Sequence, residues 1–372
     1  MPPPYRAAVI GLGRMGSTFD DEIDRGGTIF LPYCHAPSYH AAPGVELVAG
    51  ADVHDEQRRI FGERWDITGE HLYEDYRDML VAEQLDLVSI CTTARMRSQI
   101  VQDVARAGVK GIWAEKPLSL TLAEADAMIE VCREHSVALA VNCARRWTPH
   151  FAEARRLIDR GELGDLLQIT VYAECGLSHN GSHAIDTIRF LAGGEIEWVF
   201  GELESDEVAE GESDPRGNGY LAFDNGVRAY LRSMPCGAAS WEIDAIGTEG
   251  RIRSLSGGME VEYWKLCDGG PRNRRIAAKL PFPLPARIQG MGLSIISDLI
   301  DAAEEGRQPL CSGEDGRAAL ETALALRESH RRGGTKVHLP LEDRSLGIQS
   351  SEISQDGQPA RVRRLQADAT RS

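Results

Sequence analysis

The chain has 372 residues, of which 42% are hydrophobic and 26% charged, the balance of an ordinary folded protein of about two domains. Lysine and arginine total 41 against 57 aspartate and glutamate, a formal charge of −16, which disfavours nucleic acid and anionic membrane surfaces as partners. No apolar run approaches the roughly 20 residues that cross a bilayer, and no export signal is recognised, so we expect a cytoplasmic protein.

The first 145 or so residues alternate short apolar runs with amphipathic stretches. The apolar runs predict buried parallel strands covered by helices, and they cover residues 7–10, 45–51, 85–91, 109–114 and 137–141. Between the last two runs, apolar residues recur at three- and four-residue spacing from Leu122 to Cys132, with Thr121 or Ser119 as the helix cap. We therefore expect an α/β fold that begins with a Rossmann domain, a doubly wound parallel sheet, over residues 1–147.

The pattern changes after residue 148, where longer alternating segments predict an α+β domain with an open, largely antiparallel sheet over residues 148–341. Its clearest element is a hairpin over 220–231, because Asn225–Gly226 accepts the positive backbone angles of a tight turn. The remaining predicted elements are helices over 151–160 and 318–331 and strands over 167–171, 241–246, 259–266 and 336–339. Residues 342–372 are polar and lack apolar periodicity, so we expect a disordered tail.

An open antiparallel sheet leaves one face for solvent or for another subunit. We therefore expect a homo-oligomer built on that face. The eight cysteines are scattered singly without a CxxC pair, which favours reduced thiols and no metal site.

A glycine motif follows the first predicted strand directly and opens a predicted helix: Gly11, Leu12, Gly13, Arg14, Met15 and Gly16. Its three glycines permit a tight turn, close approach of a pyrophosphate and close packing of helix on strand. The amide groups at a helix N-terminus then bind phosphate oxygens. The motif predicts a dinucleotide site.

The second predicted strand ends in Asp52, whose carboxylate is placed to accept hydrogen bonds from the adenosine ribose and to repel a 2′-phosphate. NAD is therefore favoured over NADP. Asp52 follows Gly16 by 36 residues, more than the usual spacing of about 20, and an inserted loop over 24–37 explains the excess. Tyr33 and His35 in that loop are candidate ligand contacts, with a surface position as the alternative.

Two further strand ends carry polar residues. Thr92 and Thr93 follow the 85–91 run and are candidate contacts to the ribose or pyrophosphate. Glu115 and Lys116 follow the 109–114 run and are read either as part of the cofactor and catalytic site or as a surface ion pair.

Together, these segments resemble the Gfo/Idh/MocA oxidoreductases, the group of glucose–fructose oxidoreductase and inositol dehydrogenase. The resemblance spans about residues 5–341 and rests on the segments 11–16, 115–117, 142–147, 181–186 and 312–316. It implies NAD(P)-dependent hydride transfer to or from a secondary alcohol or ketone of a sugar, cyclitol or related polyol. The family's catalytic lysine falls on Lys116 and its histidine on His183.

The sequence departs from the family pattern at two positions. The residue four before the catalytic histidine, commonly Asp or Asn, is His179, which binds a hydroxyl but supplies no permanent negative charge. Asn180 is its possible substitute as a hydrogen-bond partner. Arg97 stands where many members carry a histidine.

Oxidation of a carbinol requires a base within hydrogen-bond reach of the hydroxyl. His183, with a reference pKa of about 6.5, is the favoured proton-transfer residue, and Lys116, with a reference pKa of about 10.4, is the favoured electrostatic anchor. The reverse assignment stays open. Two roles are equally open for Asp186: it orients His183, or it binds its helix to a neighbouring element. Arg146 and Trp147 either face the cleft or hold a structural carboxylate.

The sequence thus predicts an NAD-dependent sugar or polyol dehydrogenase that binds neither nucleic acid nor membrane. Two alternatives remain. One is a redox-neutral enzyme that cleaves or epimerises glycosides with retained NAD, and the other is a regulatory NAD-binding protein without turnover. Retention of Lys116 and His183 argues against the second, because a pure binder needs neither.

Overall fold

The computed structural model describes residues 3–23, 30–239, 241–258, 260–270, 274–284 and 288–349. The first sheet in these residues has six parallel strands in the order β3-β2-β1-β4-β5-β6. The strands are β1 (Tyr5–Ile10), β2 (Val45–Ala51), β3 (Leu72–Tyr73), β4 (Leu87–Ile90), β5 (Gly111–Ala114) and β6 (Ala138–Val141). Five helices follow or link these strands: α1 (His35–Ala41), α2 (Asp55–Trp65), α3 (Tyr76–Ala82), α4 (Ala94–Arg106) and α5 (Leu122–Glu134).

The order of these strands reverses next to β1, so β1 and β4 flank the crevice in which doubly wound sheets bind their ligands. Strands β4, β5 and β6 are buried along their whole length, which explains why they are continuous apolar runs in the sequence. Helix α5 begins at the predicted cap, where Thr121 and Glu124 form a reciprocal capping box. The predicted Rossmann sheet is confirmed.

The second sheet has nine described strands in the order β14-β13-β12-β11-β7-β10-β9-β8-β15. They are β7 (Leu166–Ala173), β8 (Ile196–Leu203), β9 (Gly217–Phe223), β10 (Arg228–Ser233), β11 (Glu242–Gly247), β12 (Gly250–Leu255), β13 (Glu260–Cys267), β14 (Ile276–Leu280) and β15 (Val337–His338). All neighbouring pairs are antiparallel except β7 and β10. The predicted α+β domain with a largely antiparallel sheet is confirmed.

The described residues of the second half of the chain contain five α-helices: α6 (Pro149–Asp159), α7 (Gly181–Ala192), α8 (Asp206–Glu210), α9 (Met291–Glu305) and α10 (Gly313–Arg331). Helices α7 and α10 pack against each other and against strands of the second sheet. None of the described helices is long and apolar enough to cross a membrane.

The predicted hairpin over 220–231 is present, with Tyr220 paired to Tyr230. Its loop contains three residues, Asp224 to Gly226, because Phe223 and Val227 still pair through the Phe223 N–H and the Val227 carbonyl. Only Gly226 has a positive φ, +89°. The turn is therefore a three-residue loop that ends in a left-handed glycine.

The boundary predicted at 147/148 does not separate two continuous domains. Helix α9 packs on β5 and β6, and its residues Ile295 and Leu299 belong to the hydrophobic core of the Rossmann sheet. The second half of the chain thus returns to complete the first domain. The prediction missed this because a helix distant in sequence carries no signal for the sheet it covers.

The disordered tail predicted from residue 342 begins too early. Residues 342–349 lie against α5 and the β8–β9 connection, with the Leu122 amide donating to Leu346 and the Gln349 amide to Glu212. Ile348 is 1% exposed and Leu346 packs against the core of the second domain, so apolar contacts and backbone hydrogen bonds hold the segment against the expectation from composition. Residues 350–372 of the predicted tail lie outside the described residues.

Candidate active site

The glycine motif forms a tight loop between β1 and β4. Gly11 has a φ of +89°, and a Cβ there would lie 2.9 Å from the backbone of Cys91. A Cβ on Gly16 would lie 2.1 Å from the Gly11 carbonyl oxygen, whereas one on Gly13 would meet no atom within 4 Å. The loop is therefore closed on the protein side and open at Gly13, as the approach of a pyrophosphate requires.

The segment after this loop is not the α-helix that the motif predicts. Residues Arg14–Thr18 form a π-helical turn, and Phe19–Glu22 form a 3₁₀ turn. The Arg14 side chain donates to Glu22 at 2.6 and 2.7 Å. Met15 packs against the Rossmann core.

Asp52 follows the last residue of β2, and its carboxylate reaches back to the glycine loop. Oδ2 accepts a hydrogen bond from the Leu12 amide at 2.8 Å, and Oδ1 accepts one from the His54 amide at 2.9 Å. Each carboxylate oxygen has a second lone pair. The residue thus holds the loop and keeps acceptor capacity for a ribose.

Thr92 and Thr93 lie at the end of β4, opposite the glycine loop. The buried Thr92 hydroxyl has no hydrogen-bond partner among the described residues, and Thr93 precedes the first turn of α4. An unpartnered buried hydroxyl is costly unless a ligand satisfies it. Together with the open side of Gly13, it makes this crevice fit a dinucleotide.

Arg97, the second departure from the family pattern, lies under this crevice and not in the cleft. It is 2% exposed, and its guanidinium donates to the carbonyl oxygens of Thr92 and Pro117. Burial lowers its pKa to about 10. Arg97 therefore ties the end of β4 to the segment after Lys116.

Residues 24–29 of the predicted inserted loop lie outside the described residues. The Asp20 carboxylate accepts hydrogen bonds from the amides of Tyr33 and Cys34, and His35 begins α1. Tyr33 reaches the cleft described below. His35 is fully buried and stacks on Trp113 with ring centroids 3.7 Å apart.

Glu115 is a buried acceptor next to Lys116. Its Oε1 atom accepts from His35 Nε2 at 3.1 Å and from Asn142 Nδ2 at 2.6 Å, and Oε2 accepts from the Lys116 amide at 3.2 Å. Burial opposes ionisation, but these hydrogen bonds and the charge of Lys116 outweigh it and lower the pKa of Glu115 to about 2. Glu115 is thus a fixed carboxylate that orients the backbone of Lys116, and the surface ion pair considered for this segment is wrong.

Lys116 connects the two domains at the end of β5. Its Nζ atom donates to Oδ1 of Asn180 at 2.8 Å, and Asn180 immediately precedes α7, which carries His183 in its first turn. Burial lowers the pKa of Lys116, while the nearby Glu115 raises it. The structure therefore brings together the two candidate catalytic residues from distant parts of the chain.

His183 and His179 are both held neutral. Burial lowers the pKa of His183 well below its usual value, and the charges of Lys116 and Arg145 lower it further. Burial and Lys116 also lower the pKa of His179 to about 3. Among the described residues, Nδ1 of neither imidazole has a hydrogen-bond partner.

The loop before α7 is fixed by a carboxylate that the sequence analysis did not single out. Asp214 accepts hydrogen bonds from the amides of Ser178 and His179 at 2.7 and 2.9 Å. Burial raises the pKa of Asp214. The connection joins residues 36 positions apart, which no local spacing predicts.

A cleft of about 290 Å³ lies between the two domains. Described residues from both domains line it, including Tyr33, Arg145, Asn180, His183 and Trp241. His183 and Trp241 are in edge contact, with ring centroids 6.3 Å apart. His179 is not among the described residues that line the cleft.

The two arginines after β6 have opposite roles. Arg146 donates to both carboxylate oxygens of Asp186 at 2.7 to 3.0 Å and to Asp315 at 2.9 Å. The sequence analysis left two alternatives open for Arg146 and for Asp186. In the structure, Arg146 holds a structural carboxylate, and Asp186 ties α7 to a neighbouring element. The Trp147 indole donates to Asp298 at 3.1 Å.

The residue that faces the cleft is Arg145, which the sequence analysis did not choose.

Within the described ranges, Cys143, Asp186 and Cys311 place three potential metal-ligand atoms within 4.8 Å of one another. Both carboxylate oxygens of Asp186 already accept hydrogen bonds from Arg146, so this carboxylate serves an ion pair.

Comparison with known proteins agrees with this geometry. Residues 5–143 match the model of an oxidoreductase family with an NAD-binding Rossmann fold, and residues 173–253 match the GFO/IDH/MocA C-terminal domain. The chain belongs to the Gfo/Idh/MocA oxidoreductase family. The predicted family, fold class and NAD cofactor are thereby confirmed.

Individual relatives cover nearly the whole chain. It is 29% identical over 361 residues to D-apiose dehydrogenase of Paraburkholderia graminis, covering 87% of this chain and 92% of the relative. It is 26% identical over 343 residues to myo-inositol 2-dehydrogenase of Thermotoga maritima, covering 87% and 96%. The fold is shared with an inositol dehydrogenase homologue of Azotobacter vinelandii complexed with NADH and myo-inositol, with a TM-score of 0.71, 19% identity and coverage of 91% and 98%. The predicted reaction class, an NAD(P)-dependent dehydrogenase acting on CH–OH groups, is confirmed at the level of these relatives.

Proposed function

We propose that this protein is an NAD-dependent dehydrogenase that oxidises a secondary alcohol of a sugar, cyclitol or related polyol in the cleft between its domains. The observation that carries the proposal is the hydrogen bond from Lys116 Nζ to Asn180, which brings the strand-end lysine to the first turn of the helix that bears His183. The names of the relatives support the substrate class, because those relatives act on apiose and inositol.

The glycine loop, Asp52 and Thr92 would hold the dinucleotide. When bound, NAD supplies the hydride acceptor. The rest of the chemistry belongs to this chain. We assign Lys116 the role of donating a hydrogen bond to the substrate oxygen and of stabilising negative charge that develops there.

We assign proton transfer to His183. A base must be unprotonated before it accepts the hydroxyl proton, and burial with the neighbouring cations keeps His183 neutral at physiological pH. A charged Lys116 and a neutral His183 support each other, because the ammonium disfavours a second positive charge nearby. We assign His179 a secondary role beside Lys116, as a neutral imidazole available to a substrate hydroxyl.

We also propose that the outer face of the second sheet binds a second copy of the chain. Phe200, Tyr220 and Tyr230 form a cluster of aromatic contacts with Trp198 on this face. Phe200 and Tyr230 are exposed by 39% and 43%, and exposed apolar clusters of this kind support association. We expect a dimer or tetramer, and a Tyr230→Asp variant should run as a smaller species in light scattering.

We propose a cytoplasmic location, and the free thiols of the cysteines support it. All eight cysteines are unbridged, and disulfides are rare in the reducing cytoplasm.

The test follows the absorbance of reduced nicotinamide while the protein and NAD are offered inositols, aldoses and glycosides. We expect turnover with at least one of them, and loss of that turnover in Lys116→Ala. The matched control is Lys110→Ala, because Lys110 is an exposed lysine paired with Asp86. Bound NAD without net turnover would favour the redox-neutral glycoside reaction, and an inert binder would favour the regulatory alternative.

A further inference from the structure

The lining of the candidate active-site cleft contrasts with the charge of the whole protein. The chain carries a formal charge of −16, yet the described residues that line the cleft include no aspartate or glutamate. Arg145 lies in the lining, and Lys116 reaches its edge at Asn180. The local charge is therefore opposite in sign to that of the protein.

Arg145 has no counter-ion in the part of the chain that the structure describes. It lies in the 3₁₀ turn Ala144–Trp147, where the next residue, Arg146, turns away to Asp186 and Asp315. The side chain of Arg145 has no ion pair or hydrogen bond within the described ranges, and the residue is half-buried in the cleft lining. A charge that has lost part of its hydration without gaining a partner is costly. The geometry calls for an anion from outside the chain.

Trp241 fixes the direction in which Arg145 offers its hydrogen bonds. The guanidinium carbon of Arg145 lies 4.1 Å from the centroid of the indole ring. Stacking on an aromatic face leaves the in-plane N–H groups available, and these match a carboxylate in a bidentate pair. Trp241 also has a φ of +54°, an uncommon backbone conformation for a bulky residue that is typical of functional sites.

Arg145 is linked to the proposed base through Trp241. The phosphates of the cofactor are assigned to the glycine loop, whereas Trp241, the residue before β11, contacts both Arg145 and His183. A ligand that fills this part of the cleft presents one end to Arg145 and a hydroxyl to His183.

We propose that the substrate is an acidic sugar or polyol, such as a uronate or aldonate, whose carboxylate pairs with Arg145 while one of its carbinols lies at His183. This inference rests on the proposed function and narrows its substrate class. The reaction itself is unchanged: His183 takes the proton of the carbinol, and NAD, when bound, would supply the hydride acceptor.

The decisive comparison uses pairs that differ in charge but not in shape. D-Glucuronate and D-galacturonate are compared with their neutral amides, and D-gluconate with its amide, at constant ionic strength. In the wild type we expect kcat/KM to be higher for at least one acid than for its amide. Arg145→Gln should lower the acid-to-amide ratio of kcat/KM about 10- to 100-fold, the range of a charge-assisted hydrogen bond. The ratio cancels any effect that loss of the arginine has on His183, because that effect is common to both substrates.

Two further variants make the result specific to the bidentate pair. Arg145→Lys keeps the charge and loses the planar fork, so its kcat/KM for the acid should fall between those of the wild type and Arg145→Gln. Arg160→Gln removes an exposed arginine and should change nothing. Circular dichroism melting shows whether Arg145→Gln remains folded, and Arg145→Lys carries the test if it does not.

A binding measurement separates failure of this inference from failure of the proposed function. Calorimetry on the NADH complex should show tighter binding of D-glucuronate, D-galacturonate or D-gluconate than of its amide, and Arg145→Gln should remove the difference. Turnover of neutral polyols with no preference for acids would overturn the inference and leave the dehydrogenase intact. Absence of turnover with every compound would overturn the dehydrogenase, and equal binding of acids and amides would then overturn this inference as well.

Discussion

The ammonium group of Lys116 lies 2.8 Å from the side-chain oxygen of Asn180. This contact joins the carboxyl end of β5 in the Rossmann domain to the residue before α7 in the second domain. An amide oxygen accepts a hydrogen bond from the lysine without adding a charge. The lysine is therefore oriented while its pKa stays lowered by burial.

Asn180→Asp should distinguish the two roles considered for Lys116. A carboxylate at this distance favours the charged ammonium and raises the pKa of Lys116. If Lys116 acts as the charged anchor, the alkaline limb of the kcat/KM profile moves to higher pH, because activity is lost as the lysine deprotonates. If Lys116 is the base, the acidic limb moves to higher pH.

The measurement is the pH profile of the oxidation for wild type and variant. Gln308→Glu, which adds the same charge at an exposed position, is the control for a change in overall charge. The acidic limb does not decide the question, because the new carboxylate raises the pKa of His183 as well as that of Lys116. An alkaline limb that stays in place would contradict the assignment of Lys116 as the charged anchor.

His183 should stay active as a base in mildly acidic solution. Burial, Lys116 and Arg145 lower its pKa well below the usual value, so the imidazole is unprotonated above that lowered pKa. We expect kcat/KM for the oxidation to persist below pH 6.5, the ordinary range in which a histidine base fails.

His183→Asn should lower kcat about 10²- to 10⁴-fold, the usual contribution of a positioned base. NAD binding, followed by fluorescence quenching, should remain. A variant that keeps wild-type kcat would remove His183 from the mechanism.

Asp52→Ala should narrow the preference for NAD over NADP by about tenfold or more, because a carboxylate facing a 2′-phosphate costs several kcal/mol. The variant also leaves the Leu12 amide without the acceptor it has now, so affinity for both cofactors should fall. Asp55→Ala is the control, since its side chain is 93% exposed. An unchanged ratio of kcat/KM for the two cofactors would contradict the assignment of Asp52.

Asp186→Ala should destabilise the fold by about 3–5 kcal/mol, the cost of removing one partner from a buried ion pair. Asp186 is fully buried and pairs with Arg146. Urea unfolding of the cofactor-free protein measures the change. If the main effect were a loss of kcat with unchanged unfolding, Asp186 would instead be a residue that orients His183.

Much of the Rossmann domain could be predicted because its chemistry is local. Buried parallel strands are continuous apolar runs, and the glycine motif needs only its neighbours to form a tight loop. Lys116 and His183 became candidate catalytic residues because the short segments around them, 115–117 and 181–186, resemble motifs of the family. The structure brings these two segments together.

The parts that the sequence missed depend on contacts between distant residues. Arg145 and Arg146 are identical and adjacent, and only the three-dimensional turn decides which one meets Asp186 and which one meets the cleft. Asp214 acts on a loop 36 residues before it. Neither relationship has a periodicity or spacing that a sequence pattern can show.

Helix α9 also determines when the nucleotide-binding domain is complete. Its residues Ile295 and Leu299 close the core of a sheet whose strands end at Val141. During synthesis, that sheet remains without this cover until residue 305 has left the ribosome. The core of the nucleotide-binding domain is therefore finished late, after most of the second domain has already been made, and a fragment that ends at residue 147 exposes the surface that α9 covers.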